Sequence, residues 1–199
     1  KDFSFQANSG EIVGLLGLNG AGKTTALNIM SGFFPPDEGK VTVDSMDMLT
    51  DSRRCKRKIG YLPERPPLYD EMTVSEYLRF VCDLKEVKKS AQKSHTDEIM
   101  SLIGLTEVSD RIIGKLSKGF RQRTGMAQAL CGDPEILILD EPTAQLDPIA
   151  ASGFMNAVQR LNREHGMTIL MVEHRLEEAV SMCSRLMVME NGGLISSGE

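Results

Sequence analysis

One short stretch limits what this chain can fold into more than any other: Gly17, Leu18, Asn19, Gly20, Ala21, Gly22, Lys23 and Thr24 in succession. It fits G-x-x-x-x-G-K-[ST] at every fixed position. The run Ile12–Leu16 before it is apolar on successive residues and reads as a buried strand. The stretch from Lys23 to Ser31 reads as a helix, stopped by Gly32 and the Pro35-Pro36 pair. Gly17, Gly20 and Gly22 let backbone N–H groups turn inward around a phosphate. The helix beginning at Lys23 points its positive end at the same oxygens. Lys23 then offers a cation to the β and γ phosphates of a nucleoside triphosphate, Thr24 a hydroxyl for Mg²⁺, and Thr25 an α-phosphate contact.

A second apolar run, Ile136–Leu139, delivers two acids at its carboxyl end, Asp140 and Glu141. Ligands of open α/β sheets bind outside the carboxyl ends of the strands. Asp140 is the expected Mg²⁺ partner, and Glu141, one residue on, is the expected base for an attacking water. Thr168–Val172 is a third run of the same kind, so the sheet is expected to be parallel and covered on both faces.

Between these runs the signals turn helical. Thr73 and Glu76 form a capping box ahead of Tyr77, Leu78, Val81 and Leu84. A helix over Ala91–Ile103 stops at Gly104, and another runs from Lys118 to about Gly132. Asp147 followed by Pro148 opens a helix. Val41–Val43 and Ile59–Leu62 are further strands. Leu186–Glu190 and Leu194–Ser196 flank Asn191-Gly192, a type I′ hairpin signal. The basic stretch Arg53–Lys58 reads as a solvated helix face. Phe3 and Phe5 alternate as in a strand core, and the chain reads as a piece of a longer polypeptide cut at both ends.

The chain has 199 residues, 41% hydrophobic and 26% charged, with a net charge of −5. That is the composition of an ordinary globular protein and gives no general pull toward nucleic acid. Cys55, Cys82, Cys131 and Cys183 form no CxxC pair, so zinc is not expected and reduced thiols are. His95 and His165 read as surface residues. No apolar run has the length of a membrane-spanning helix.

Further motifs resemble one family of P-loop proteins. Leu116-Ser-Lys-Gly-Phe-Arg-Gln-Arg123 resembles the signature motif of ABC ATPases, and Asp140 to Asp147 their Walker B plus D-loop. Val172-Glu-His174 resembles their switch histidine, and Tyr61-Leu-Pro-Glu64 stands at their Q-loop. The loop wording is similar to the drug-efflux and gliding-motility branch of bacterial ABC transporters. The resemblance covers almost the whole chain. It implies an α/β P-loop fold of the ABC ATPase type: a mainly parallel core sheet, an inserted helical subdomain and an antiparallel β portion. It implies one domain over 1–199, with 1–64 and 133–199 as nucleotide-binding core and 65–132 as helical subdomain.

The same resemblance implies ATP and Mg²⁺ as cofactors and hydrolysis by Glu141 with His174. It implies a homodimer, or a pair with another ABC subunit, in which Ser117, Lys118 and Gly119 meet ATP held by the other copy. A hydroxyl, a bare backbone and a helix N-terminus are an anion site in their own right. Asp147 is expected to touch the partner as well as to cap its own helix. Transmembrane permease subunits are the implied partners, on the cytoplasmic face of the cell membrane, with export of a substrate. Glu64 stands where the family usually has Gln and is placed with Thr24 and Asp140 on the metal side. Lys118 and Phe120 replace a glycine and the glutamine of the signature, and Gln145 replaces a small D-loop residue. The family's adenine-stacking aromatic falls before Lys1. An ABC ATPase acting on DNA or on ribosomes is the rival. The interval from Lys23 to Ser117 is too short for the coiled-coil or zinc arm of the first, and no tandem cassette for the second is visible.

Overall fold

In a computed structural model that describes residues 3–173 and 180–198, the apolar runs form adjacent strands of one sheet. These are β1 (Ile12–Leu16), β4 (Ile59–Leu62), β5 (Ile136–Asp140), β6 (Thr168–Val172), β7 (Arg185–Glu190) and β8 (Gly193–Gly198). The sheet is six-stranded, in the order β4-β5-β6-β1-β7-β8. Every neighbouring pair is parallel except β7 with β8. β2 (Thr42–Val43) and β3 (Met46–Asp47) make a separate antiparallel pair. The strand expected from Val41 is thus shorter by a residue, and it ends at Asp44 and Ser45, both at positive φ (48° and 65°).

Successive residues of a strand serve opposite faces of the sheet. Leu137, Leu139, Ile169 and Met171 join one apolar cluster with Phe154, Val158 and Leu161 of α6 (Pro148–His165). Ile138, Leu170 and Val172 join the other, with Val13, Leu15, and Ala26 and Leu27 of α1 (Lys23–Met30). Both faces of the central strands are therefore dry, which is why their sequences lack polar alternation.

The first cluster also takes in residues of α3 (Val74–Leu84), α4 (Lys89–Ile103) and α5 (Lys118–Leu130). Their ends follow local chemistry. Thr73 Oγ1 accepts from the Glu76 N–H at 3.3 Å, and Glu76 Oε2 accepts from the Thr73 N–H at 2.9 Å. The Thr73 bonds hold the Glu76 carboxyl below its ordinary pKa. Replacing Thr73 by Ala is expected to cost about 0.5–2 kcal/mol of stability, read as a lower urea midpoint at unchanged m-value. α4 stops at Gly104, which is left-handed (φ 72°). α5 opens on Ser117 and α6 on Asp147, each accepting N–H bonds from its own first turn.

α2 (Ser52–Arg57) is the expected solvated basic helix, with Cys55 its buried residue. Arg53 and Arg57 both pair with the carboxylate of Glu86, at the end of α3. Three expectations are corrected. Phe3 and Phe5 lie in irregular chain, stacked edge to face at 5.4 Å, and not in a strand. α4 begins at Lys89, two residues ahead of Ala91, and the Ala91 N–H already bonds the carbonyl of the N-cap Lys88 at 2.8 Å. His95 is not a surface residue: its side chain is 12% exposed, and Nε2 accepts from the Gly132 N–H at 3.1 Å beyond the end of α5. His165 is exposed, as expected, and the four cysteines are free thiols.

Candidate nucleotide site

Strand order places the site. β1, β6 and β5 lie side by side, so their carboxyl ends bring Gly17, Glu173 and Asp140 to one rim of the sheet. The segment Gly17–Gly22 leaves β1 there and feeds α1, whose N-cap is Gly22 in a left-handed conformation (φ 99°). A Cβ on Gly17 would lie 2.4 Å from the Met189 carbonyl oxygen, so β7 leaves no room for a side chain. The Gly192 N–H donates to the Ala21 carbonyl at 2.9 Å. The hairpin turn Asn191-Gly192, with φ of 49° and 81° as a type I′ turn requires, therefore braces the loop from below. The sequence placed a hairpin at Asn191-Gly192, but nothing in it showed that the hairpin supports the cradle.

Lys23 is buried, and its Nζ donates to the carbonyls of Gly17 (2.8 Å) and Leu18 (3.1 Å). Its charge is thereby held inside the loop curve. Leu18, Asn19, Gly20, Thr24 and Thr25 are exposed on the same rim, with Ala21 buried beneath them. Thr24 Oγ1 donates to Asp140 Oδ1 at 3.4 Å, across 116 residues of sequence. Two of the three residues expected on the metal side thus meet. Burial raises the Asp140 carboxyl above its ordinary pKa, and the charges of Glu141 and Glu64 add to that, while Thr24 and Lys23 oppose it. Tyr61, on β4, is pushed up to about 12, first by burial and then by the Asp140 charge. It stays a neutral donor and bonds Asn28 of α1 at 3.1 Å.

Glu141 follows Asp140 at positive φ (47°), a conformation unusual for a residue with a Cβ. Its N–H donates to the Val172 carbonyl at 3.0 Å, so β6 holds the outlier in place. Strain of this kind costs of order 1–3 kcal/mol and gathers at functional sites. Beside it is Glu173, buried, which accepts from the Thr143 N–H at 3.2 Å and from the Thr143 hydroxyl. Sequence reasoning passed over Glu173. The available signal was an acid directly after a fully apolar strand, the pattern already noted at Asp140. His174 lies outside the described residues.

Ser117, Lys118 and Gly119 open α5 on the exposed side of the helical layer. Ser117 Oγ accepts from the Phe120 N–H at 3.4 Å, and a Cβ on Gly119 would sit 3.5 Å from the Ala150 Cβ in the first turn of α6. Asp147 Oδ1 accepts from the N–H groups of Ile149 (3.0 Å) and Ala150 (2.9 Å). Among the described residues, no hydrogen bond or ion pair joins the 117–119 segment to the 17–24 loop. Glu64 is exposed just past β4, and Gln145 Nε2 donates to its Oε1 at 3.4 Å.

A glycine loop between a buried strand and a helix, faced by an acid pair at the end of a parallel strand one removed from it, with β6 between, defines a P-loop nucleotide-binding α/β protein. Comparison with known proteins narrows this. The family described as ABC transporter matches residues 1–144. The ABC transporter ATP-binding protein YxlF of Bacillus subtilis is 37% identical over 199 residues, covering 100% of this chain and 65% of YxlF. The linearmycin resistance ATP-binding protein LnrL of the same organism is 35% identical over 198 residues, with 63% of its length covered. The chain thus spans somewhat under two thirds of these relatives. The dimeric ATP-binding cassette MJ0796, solved bound to ADP and Pi, superposes with a TM-score of 0.90 at 26% identity, over 100% of this chain and 89% of that one. The chain belongs to the ABC transporter family. Among the described residues no helix is long and apolar enough to cross a membrane.

Proposed function

We propose that the chain is the ATP-binding and ATP-hydrolysing subunit of an ABC transporter, driving export of a substrate through a separate permease by ATP-dependent dimerisation. The observation that carries the reading is the meeting of Thr24 with Asp140 at the mouth of a cradle whose lysine is already buried. The resistance function in the name of LnrL and the efflux-like wording of the loops support the direction.

The chemistry of the donor set fits a magnesium ion. A hydroxyl and a carboxylate meet, and burial, with the charges of Glu141 and Glu64 added to it, opposes the ionisation of Asp140, so a hard divalent cation would favour the charged form. Thr24 and Asp140 would hold the ion, with Glu64 on the same side, and it would supply positive charge to the phosphate oxygens. The N–H groups of residues 17–25 cradle the phosphates, and Lys23 exchanges its two carbonyl partners for β- and γ-phosphate oxygens. Glu141 takes the proton of a water whose oxygen attacks the γ-phosphorus. The β–γ bridging oxygen leaves on ADP with the bond's electron pair. His174, by family resemblance, orients Glu141 and the water.

In this reading 1–199 is one ATPase domain with its core at 1–64 and 133–199. Residues 65–132, which contain α3, α4 and α5, are its helical lobe. Ser117, Lys118 and Gly119 of one copy grip the γ-phosphate held by the other, and Asp147 touches the partner, an arrangement of two-fold symmetry. The dimeric state of MJ0796 supports this. Loss of the γ-phosphate reopens the dimer, and the helical lobe passes the motion to a permease at the cytoplasmic membrane face. The test is sedimentation of the Glu141→Gln protein, in a chain of full natural length, with saturating ATP and Mg²⁺. A dimer that Ser117→Arg abolishes is expected. A monomer under those conditions overturns the reading.

A further inference from the structure

Two loops at the rim carry residues that depart from the family pattern, Glu64 after β4 and Gln145 between β5 and α6, and these two side chains meet. Gln145 Nε2 donates to Glu64 Oε1 at 3.4 Å. The same carboxylate oxygen has a second suitor, Arg65, whose Nε lies 3.9 Å away, with the Arg65 side chain 84% exposed. Glu64 Oε1 is thus shared between the amide of Gln145 and the guanidinium of Arg65. An ion pair with an exposed arginine is worth little and leaves both side chains free. A bond from the 145 amide ties it to the loop that begins at Asp140 and Glu141.

We propose that Gln145 is a positioning residue for Glu64: its amide holds the 64 carboxylate on the nucleotide side of the rim, against the pull of Arg65, so that the loops after β4 and β5 act as one unit on the metal-bearing end of the nucleotide. This rests on the ATP and Mg²⁺ reading given above and adds the clasp to it. A carboxylate held there increases the gain in nucleotide affinity that a divalent cation gives, because it adds negative charge on the side the cation occupies. A carboxylate released to Arg65 gives that gain up. The pairing also accounts for two departures at once: glutamate at 64 requires a donor at 145, and a small residue there has none.

The experiment measures ADP affinity by calorimetry, in EDTA and in saturating Mg²⁺, and reads the ratio of the two dissociation constants. The proteins are the unsubstituted chain, Glu64→Gln, Gln145→Ala, the double variant, and Gln145→Ala combined with Arg65→Ala. Each single variant is expected to reduce the Mg²⁺-dependent ratio roughly 3–10-fold, as a single coupled hydrogen bond does. The Glu64→Gln/Gln145→Ala double variant should lose no more than Glu64→Gln alone. Adding Arg65→Ala to Gln145→Ala should restore much of the ratio, which a merely structural role for Gln145 does not explain. Additive losses, an unchanged ratio in either single variant, or no recovery on removing Arg65 overturn the clasp while leaving the ATP reading intact. Failure of the unsubstituted protein to bind ADP with Mg²⁺ overturns both.

Discussion

Replacing Glu141 by Gln is expected to lower ATP turnover about 10²–10⁴-fold, the range lost when a positioned base is removed. The substitution keeps shape and removes the capacity to take a proton. The backbone that aims this side chain is fixed by bonds the substitution does not touch. The 141 N–H stays on the Val172 carbonyl, and the Ala144 N–H stays on the 141 carbonyl at 3.2 Å. Binding is expected to survive, since Lys23, Thr24 and Asp140 are unchanged. Removing the 141 charge also takes away one of the causes that raise the Asp140 pKa, so Asp140 ionises more readily in the variant. The signature is therefore a collapse of phosphate release with ATP·Mg²⁺ affinity kept within a few-fold, measured in single-turnover and equilibrium-binding experiments on the same preparation. Near-normal turnover rejects Glu141 as the base.

That such a prediction can be aimed at one side chain reflects what sequence shows well. Where function needs particular residue types at short spacing, the pattern is local and legible. The strand–loop–helix course around Gly17–Thr24, the Thr73–Glu76 box, the helix start at Asp147-Pro148 and the turn at Asn191-Gly192 each stand in the structure as read. Buried parallel strands were legible too, because Ile136–Leu139 and Thr168–Val172 are apolar on both faces. What was not legible depends on contacts between distant segments. The brace from Gly192 to Ala21, the Thr143–Glu173 link and the burial of His95 against Gly132 join residues far apart in sequence. Phe3 and Phe5 alternate without forming a strand because period-two alternation alone does not supply a neighbouring strand to pair with. Their rings still pack partly against the second apolar cluster, so the alternation reported burial and not strand pairing.

The placement of the helical lobe rests on a contact of this distant kind, and substitution there is expected to have the largest effect on stability. A Cβ at Gly60 of β4 would lie 2.3 Å from the Ala129 carbonyl oxygen of α5 and 3.2 Å from Leu137 Cδ1. The first of these is helix backbone, which cannot rotate aside as a side chain can. Further along, a Cβ at Gly125 would meet the Pro66 ring at 2.6 Å, so the helix lies close against the 60–66 segment at two points. Gly60→Ala must then push α5 off the sheet or bend β4, and overpacking of this sort costs about 1–3 kcal/mol. Gly153→Ala is the matched comparison. The added Cβ there approaches Arg123 Nη2 at 2.8 Å, the far end of a flexible side chain, and alanine is the better helix former by about 1 kcal/mol. Urea denaturation should show the 60 variant clearly destabilised and the 153 variant within about 1 kcal/mol of the unsubstituted protein. Because α5 begins at Ser117, a folded Gly60→Ala protein should also dimerise less with ATP at unchanged ADP affinity. Equal stability of the two variants would mean that α5 tolerates displacement from β4. The close approach at Gly60 would then not be what fixes the position of Ser117.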